Sequence, residues 1–307
     1  MDRKIKQADV QKAVDNAYEK NKSIKEGVAA EIVGAKDTKA FGISVVLTDG
    51  RVIEKGDTKV ASPLGRIALL PSHVLVLTQN SPEELVKKAG VSPCKCKKGV
   101  KPEIPVSPHG IRAVSVIEPQ NDPDGKYDIM INNIEDLVGS EPVFDDKLYE
   151  RLTKEVSDAN TIDKIAQAEY SLYDKADIAV DLYTRLASLT LTTTQLAAMG
   201  ATIAADGRNP ITGQEVFDGA IAANVVATMA RGVHKEGRAW MMTVGLPAVN
   251  SFGGAILAVL PGFGAIAAYS PELDEKGVSV KAAKAIADIA NELQLNVFAS
   301  ARVSVEK

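Results

Sequence analysis

Val244-Gly-Leu-Pro-Ala-Val-Asn-Ser-Phe-Gly-Gly254 runs directly into Ala255-Ile-Leu-Ala-Val-Leu-Pro261 and, after a short turn, reaches Tyr269-Ser-Pro-Glu-Leu-Asp274. The apolar runs 255–260 and 265–269, on either side of Pro261-Gly262, predict a β-hairpin. Ahead of them, Ala239-Trp-Met-Met-Thr-Val-Gly245 is rich in strand formers and predicts a further strand. Near the other end, Phe41-Gly-Ile-Ser-Val-Val-Leu-Thr-Asp-Gly-Arg-Val-Ile-Glu-Lys-Gly56 predicts a second hairpin, turning at Asp49-Gly50. Strands at both ends with a helical middle predict an antiparallel sheet made from the N- and C-terminal segments and a helical lobe set between them.

Helical spacing marks the rest. Val10, Ala13, Val14 and Ala17 predict a helix over 9–21. Ile286, Ile289 and Leu293 share one face of another, starting at Ser279 as N-cap. Ile221, Val225 and Met229 stripe a third, over 218–231, with Gly232 as its C-cap. One segment departs from this pattern. Ile111-Arg-Ala-Val-Ser-Val-Ile-Glu118 and Lys126-Tyr-Asp-Ile-Met-Ile-Asn132 alternate at period two around Pro119-Gln-Asn-Asp-Pro-Asp-Gly125, which predicts a hairpin inside the helical region.

Composition narrows the function classes. The 307 residues bury a sizeable core, and 45% apolar with 25% charged residues is the balance of a soluble globular chain. A net charge of −4 gives no attraction for nucleic acid or an anionic membrane. The polar start Met1-Asp-Arg-Lys-Ile-Lys-Gln7 lacks the apolar core of a signal peptide, and Pro261, Gly262 and Gly264 break the longest apolar run. A cytoplasmic protein is expected. Cys94 and Cys96 stand in Pro93-Cys-Lys-Cys-Lys-Lys-Gly99 with no histidine nearby, so a polar loop is expected there rather than a metal site. Gly262-Phe-Gly264 lacks the third glycine and following helix of a dinucleotide fingerprint. No cofactor and no metal are expected.

Val244, Gly245, Leu246, Pro247, Ala248, Gly253 and Gly254 match the C-terminal signature of the serine-dependent glutaminases, V-G-L-P-A-K-S-G-V-x-G-G and then S-P-x-L-D. Phe41-Gly-Ile43, Asp49-Gly50 and Gly56-Asp57 are similar to that family's L-G-I, D-G and G-D. Val180-Asp-Leu-Tyr-Thr-Arg-Leu-Ala-Ser-Leu189 resembles D-F-Y-F-x-x-C-S-I. Asp206-Gly207 and Pro210-Ile-Thr-Gly-Gln-Glu-Val216 resemble N-G-G and P-I-T-G-E-x-V, and all these blocks fall in the family's order. The resemblance implies an α+β fold of the β-lactamase/transpeptidase kind: an antiparallel five-stranded sheet flanked by helices, plus a helical lobe. It implies one domain, with a sheet lobe over about 24–61 and 235–307 and a mostly helical lobe over about 62–234. Since family members associate, it also implies a homo-oligomer, a dimer or tetramer.

The family's chemistry needs a serine at a helix start and a lysine one turn later, S-x-x-K, so that the hydroxyl attacks the glutamine side-chain amide. Here the matching segment reads Thr58-Lys-Val-Ala-Ser-Pro-Leu-Gly-Arg-Ile-Ala-Leu-Leu-Pro71. The serine position falls on Gly65 or Arg66 and the lysine position on Ala68 or Leu69. Ser62 is the nearby hydroxyl, but Ser62-Pro63 reads as N-cap and N1, and Pro71 is expected to end or kink the helix early. A substrate-binding Asn is replaced by Ile111, a site Tyr by His234, Lys-Ser-Gly by Val249-Asn250-Ser251, and the following valine by Phe252. Tyr183 survives among the site side chains.

Two functions follow. Joint loss of nucleophile, base and substrate contacts predicts a degenerate pseudoenzyme kept for ligand binding, assembly or regulation. The alternative is an active glutaminase or related amidohydrolase with an altered apparatus, its catalytic candidates Ser62, Tyr183 and His234. At a helix start inside the cleft Arg66 suits a small anionic or amino-acid ligand; placed elsewhere it is a surface or salt-bridging arginine.

Overall fold

The computed structural model describes residues 3–34, 38–81, 83–84, 107–167, 172–230, 233, 237–299 and 303–305. Cys94, Cys96, Gly232 and His234 lie outside the described residues. The expected α+β architecture is present. Five antiparallel strands run in the order Val52–Gly56, Gly42–Leu47, Gly264–Tyr269, Ala255–Leu260, Ala248–Asn250. Both terminal hairpins are there, with Val45 opposite Ile53 in one and Ile266 opposite Ala258 in the other.

The two central strands are buried along their whole length, because helices cover both faces of the sheet. Helix Thr193–Ala204 packs on one face. It begins with a capping box: Gln195 N donates to the Thr192 hydroxyl at 3.2 Å, and Thr192 N donates to the Gln195 side chain at 2.8 Å. Helices Gln7–Asn21 and Val280–Glu292 pack together on the other face. Ser279 precedes the second of these as expected, yet its hydroxyl donates to Ser270 O at 2.7 Å and caps nothing. No helix among the described residues is long and apolar enough to cross a membrane.

Four local expectations fail. Residues 111–132 form no hairpin; 111–115 belong to helix Pro108–Ser115, 123–132 to helix Pro123–Val138, and the chain between them turns. Gly110 N donates to the Ser107 hydroxyl at 3.3 Å and Gly125 N to Asp122 Oδ1 at 3.0 Å. Ser-Pro and Asp-Pro are therefore helix starts, and the alternation arose because the first helix is buried on most sides. Residues 237–243 form a helix, Gly237–Thr243, where a strand was expected from 239. Trp240 Nε1 donates to Leu246 O at 2.8 Å and ties its end to the chain that follows.

Ser62-Pro63 caps no helix either. It lies in strand Ala61–Pro63, paired with Leu189–Thr192. The chain then turns through a 3₁₀ segment, Gly65–Ala68, into helix Leu69–Gln79. Pro71 sits in that helix's first turn, where a missing N–H costs nothing, so the helix continues for the rest of its eleven residues.

One buried ion pair orders the helical lobe. Lys126 Nζ is paired with Asp174 and also donates to Val114 O and Ser115 O, at 3.3 and 3.2 Å, with both charged side chains fully buried. Asp174 Oδ1 accepts from Asn121 N at 2.8 Å. The cluster thus joins the C-terminal end of helix Pro108–Ser115 to the chain entering helix Ala176–Ala187. Removing one partner strands a buried charge. Lys126→Met is expected to cost about 3–5 kcal/mol in urea unfolding, and Lys126→Met with Asp174→Leu distinctly less. A double variant as unstable as the single one excludes the charge as the cause.

Candidate active site

The segments that carry the glutaminase-like residues meet where the sheet edge touches the helical lobe. The Gly65–Ala68 turn packs against strand Ala248–Asn250 and helix Ala176–Ala187, and the latter packs against helix Pro108–Ser115. Gly65 has φ of 50°, and a Cβ built on it would lie 2.8 Å from both the Phe252 ring and the Ser251 hydroxyl. Glycine is required there for backbone and for space. Gly110 has a different reason: a Cβ on it would overlap the ring of Tyr183.

Of the two possible registers, Gly65 with Ala68 is buried, whereas Arg66 and Leu69 are half-buried. The pair that reaches the surface of the junction is therefore Arg66 and Leu69, neither able to serve as the hydroxyl or amine of S-x-x-K. Ser62 is 1% exposed, its hydroxyl without a hydrogen-bond partner among the described residues. Ile111 is wholly buried in the larger core.

Val249, Asn250 and Ser251 have structural roles. Val249 packs against the larger core, and Asn250 Nδ2 donates to Gly277 O at 3.1 Å. The Ser251 hydroxyl donates to Pro63 O at 2.5 Å and accepts from Gly253 N at 3.0 Å, stitching the sheet edge to the strand before Gly65. Phe252 packs against the small cluster of Leu148, Leu152 and Ala187.

Tyr183 is 1% exposed and lies over the first turn of helix Pro108–Ser115. Its oxygen makes no hydrogen bond of good geometry among the described residues. Burial pushes the hydroxyl far above the usual phenol range, while the charge of Arg66 and the nearby Ser107 side chain pull slightly the other way. A buried hydroxyl left without a partner costs about 1–3 kcal/mol. Arg66 and the start of helix Pro108–Ser115, with Ser107 as its cap, thus lie on the side of the junction where Tyr183 is buried.

Two imidazoles escaped the sequence reading. His73 on helix Leu69–Gln79 and His109 on helix Pro108–Ser115 approach as those helices pack. Burial, with the charge of His109 adding to it, pushes the His73 imidazole down to about 4. Recognition of Ser107-Pro108 as a helix start would have placed His109 in its first turn. A separate open cavity of about 580 Å³, lined by Arg238, Met241, Met242 and Phe298 among others, shares no residue with this junction.

A family model described as Glutaminase matches residues 30–298. The glutaminase of Bacteroides thetaiotaomicron is 35% identical, over 97% of this chain and 97% of its own length. The solved structure of a probable glutaminase is 30% identical with a TM-score of 0.85, covering 96% of this chain and 99% of that one. A Bacillus subtilis glutaminase, solved as its covalent complex with 5-oxo-L-norleucine, shares the fold at 21% identity and a TM-score of 0.77, with 95% and 98% of the two chains covered. Such end-to-end similarity to curated glutaminases overturns the expectation of a pseudoenzyme.

The His73 environment sets a pH dependence. The folded imidazole holds its proton less tightly than the unfolded one, whose ordinary value is 6.5. Between about pH 4 and 6.5 the unfolded chain therefore binds more protons, and stability falls as pH is lowered through that window. From pH 7 to pH 5 the wild type is expected to lose about 2 kcal/mol through this group, and His73→Leu to lose correspondingly less. Urea midpoints at the two pH values check it; parallel losses in both proteins refute it.

Proposed function

Because this chain belongs to the glutaminase family, we propose that it hydrolyses the side-chain amide of glutamine or of a closely related carboxamide, with an altered catalytic apparatus at the same junction. The observation that carries this reading is the 35% identity to a curated glutaminase over 97% of both chains.

Water replaces the serine hydroxyl in this mechanism, because Gly65-Arg-Ile-Ala-Leu69 supplies no oxygen nucleophile. Water adds to the amide carbon, the carbon–nitrogen bond breaks, and the nitrogen leaves as ammonia once it has taken a proton. His109, half-buried in the first turn of its helix, is the imidazole assigned to take the proton of the attacking water. Ser62 has no part in the reaction, since it is buried in a strand.

The test is ammonia release from L-glutamine by wild type, Ser62→Ala and His109→Gln at high enzyme concentration. Wild type and Ser62→Ala are expected to be equally active, and His109→Gln to lose about 100-fold in kcat. No ammonia from the wild type ends the reading, and loss of activity in Ser62→Ala moves the nucleophile to that strand. The absence of an acyl-enzyme is checked with 6-diazo-5-oxo-L-norleucine, the reagent that formed the Bacillus subtilis covalent complex. The intact mass of this chain is expected to stay unchanged. An adduct refutes direct attack by water, and peptide mapping then identifies the nucleophile.

A further inference from the structure

Away from the junction, helix Gly237–Thr243 and the chain at 296–298 line the open cavity of about 580 Å³, a volume within the range of small-molecule sites. Three of its lining side chains are large and apolar: Met241, Met242 and Phe298. Met242 is 73% exposed and Phe298 72%, while Trp240 and Leu295 beneath them are buried in the core. Exposed apolar side chains are ordinary when scattered, but these gather on one cavity, and such a gathering marks a binding surface. Its walls are tied from behind. Trp240 Nε1 donates to Leu246 O at 2.8 Å, Val297 N to Gly245 O at 2.9 Å, and Phe298 N to Asn296 Oδ1 at 2.8 Å. A pre-formed wall lowers the ordering cost of binding. The one charged side chain among the described lining residues is Arg238, which is exposed and makes no ion pair or hydrogen bond among the described residues.

We propose that this cavity binds an amphipathic carboxylate, whose apolar chain lies against Met241, Met242 and Phe298 and whose charged head meets Arg238. Charge and surface together select that class. A wholly polar anion leaves the methionines and the phenylalanine in water, and an uncharged apolar ligand leaves the guanidinium without a counter-ion. A carboxylate meets a guanidinium with two parallel hydrogen bonds, a geometry that an ammonium or an alcohol cannot copy. Methionine side chains re-pack easily, so the apolar part is read by its length more than by its exact shape. The exposure of Arg238 fixes the division of labour: burial of the chain supplies most of the affinity, and the charge supplies the discrimination. Because the cavity shares no lining residue with the junction, its occupancy does not depend on amide hydrolysis.

Trp240 is the one tryptophan of the chain and lies in the helix that carries Arg238, Met241 and Met242, so its fluorescence reports on the cavity. The protein is titrated with sodium decanoate, decanol and decyltrimethylammonium, each below the concentration at which it aggregates. Wild type is expected to bind decanoate saturably, the alcohol more weakly and the cation most weakly. From hexanoate to decanoate the affinity is expected to rise roughly two- to fourfold per methylene. Arg238→Ala is expected to weaken decanoate binding about two- to fivefold and leave decanol binding unchanged. Met242→Ser and Phe298→Ser are expected to weaken both ligands, with urea midpoints equal to that of the wild type because both side chains are exposed. Absence of saturable decanoate binding, or an affinity unchanged in Arg238→Ala, overturns the proposal. Light scattering supplies the other decisive outcome: a wild-type dimer that Phe298→Ser dissociates assigns the patch to a second copy of the chain and overturns the ligand site.

Discussion

A sheet buried on both faces is the constraint on which the rest of this structure depends. Gly42–Leu47 and Gly264–Tyr269 expose nothing, so each must be apolar or small throughout and each must be covered twice. The Thr193–Ala204 helix supplies one cover and the two terminal helices supply the other. Apolar burial of this extent is the dominant favourable contribution to folding, and it joins the two ends of the chain into one layer. The sheet keeps two edge strands, Val52–Gly56 and Ala248–Asn250, and the Gly65–Ala68 turn packs against the second.

Where sequence pattern and burial coincide, the fold was legible. The hairpins turning at Asp49-Gly50 and Pro261-Gly262 combine strand-forming runs with strong turn residues, and both are present. The terminal helices show one apolar stripe each because each buries one face. Periodicity failed where burial is not one-sided. Ile111, Ala113, Val114, Ser115, Val116 and Ile117 are all buried, so the polar gaps that look like alternation carry no information about which side faces water. Local chemistry was the better guide there, since Ser107-Pro108 and Asp122-Pro123 both mark helix starts. At Ser62-Pro63 the same logic misled. Pairing with Leu189–Thr192 claims those residues for a strand and overrides the capping preference.

The site was legible as a set of changed positions and not as a geometry. Sequence comparison placed Val249, Asn250 and Ser251 where a catalytic strand is expected, but could not show that they had acquired other work. Asn250 holds the loop at Gly277, and Ser251 links Pro63 to Gly253. Contacts between segments far apart in the chain decide this, and no spacing rule reports them. The same holds for Lys126 and Asp174, far apart in the chain and paired with both side chains fully buried. Their pairing fixes the ends of the helices that present Ser107 and Tyr183.

The changes at the junction form a coupled set. Gly65 has a left-handed backbone and no Cβ, which lets Phe252 lie against it and lets Ser251 reach Pro63. Phe252 in turn fills space beside Leu148, Leu152 and Ala187. A side chain at 65 would strain the turn, collide with that ring and break the stitch at once, so no one of these residues is free to change independently. Arg66 and Leu69 stand outside this set because they are half-buried and face the edge of the junction. Packing therefore leaves room for change at 66 and 69 and constrains 65, 251 and 252.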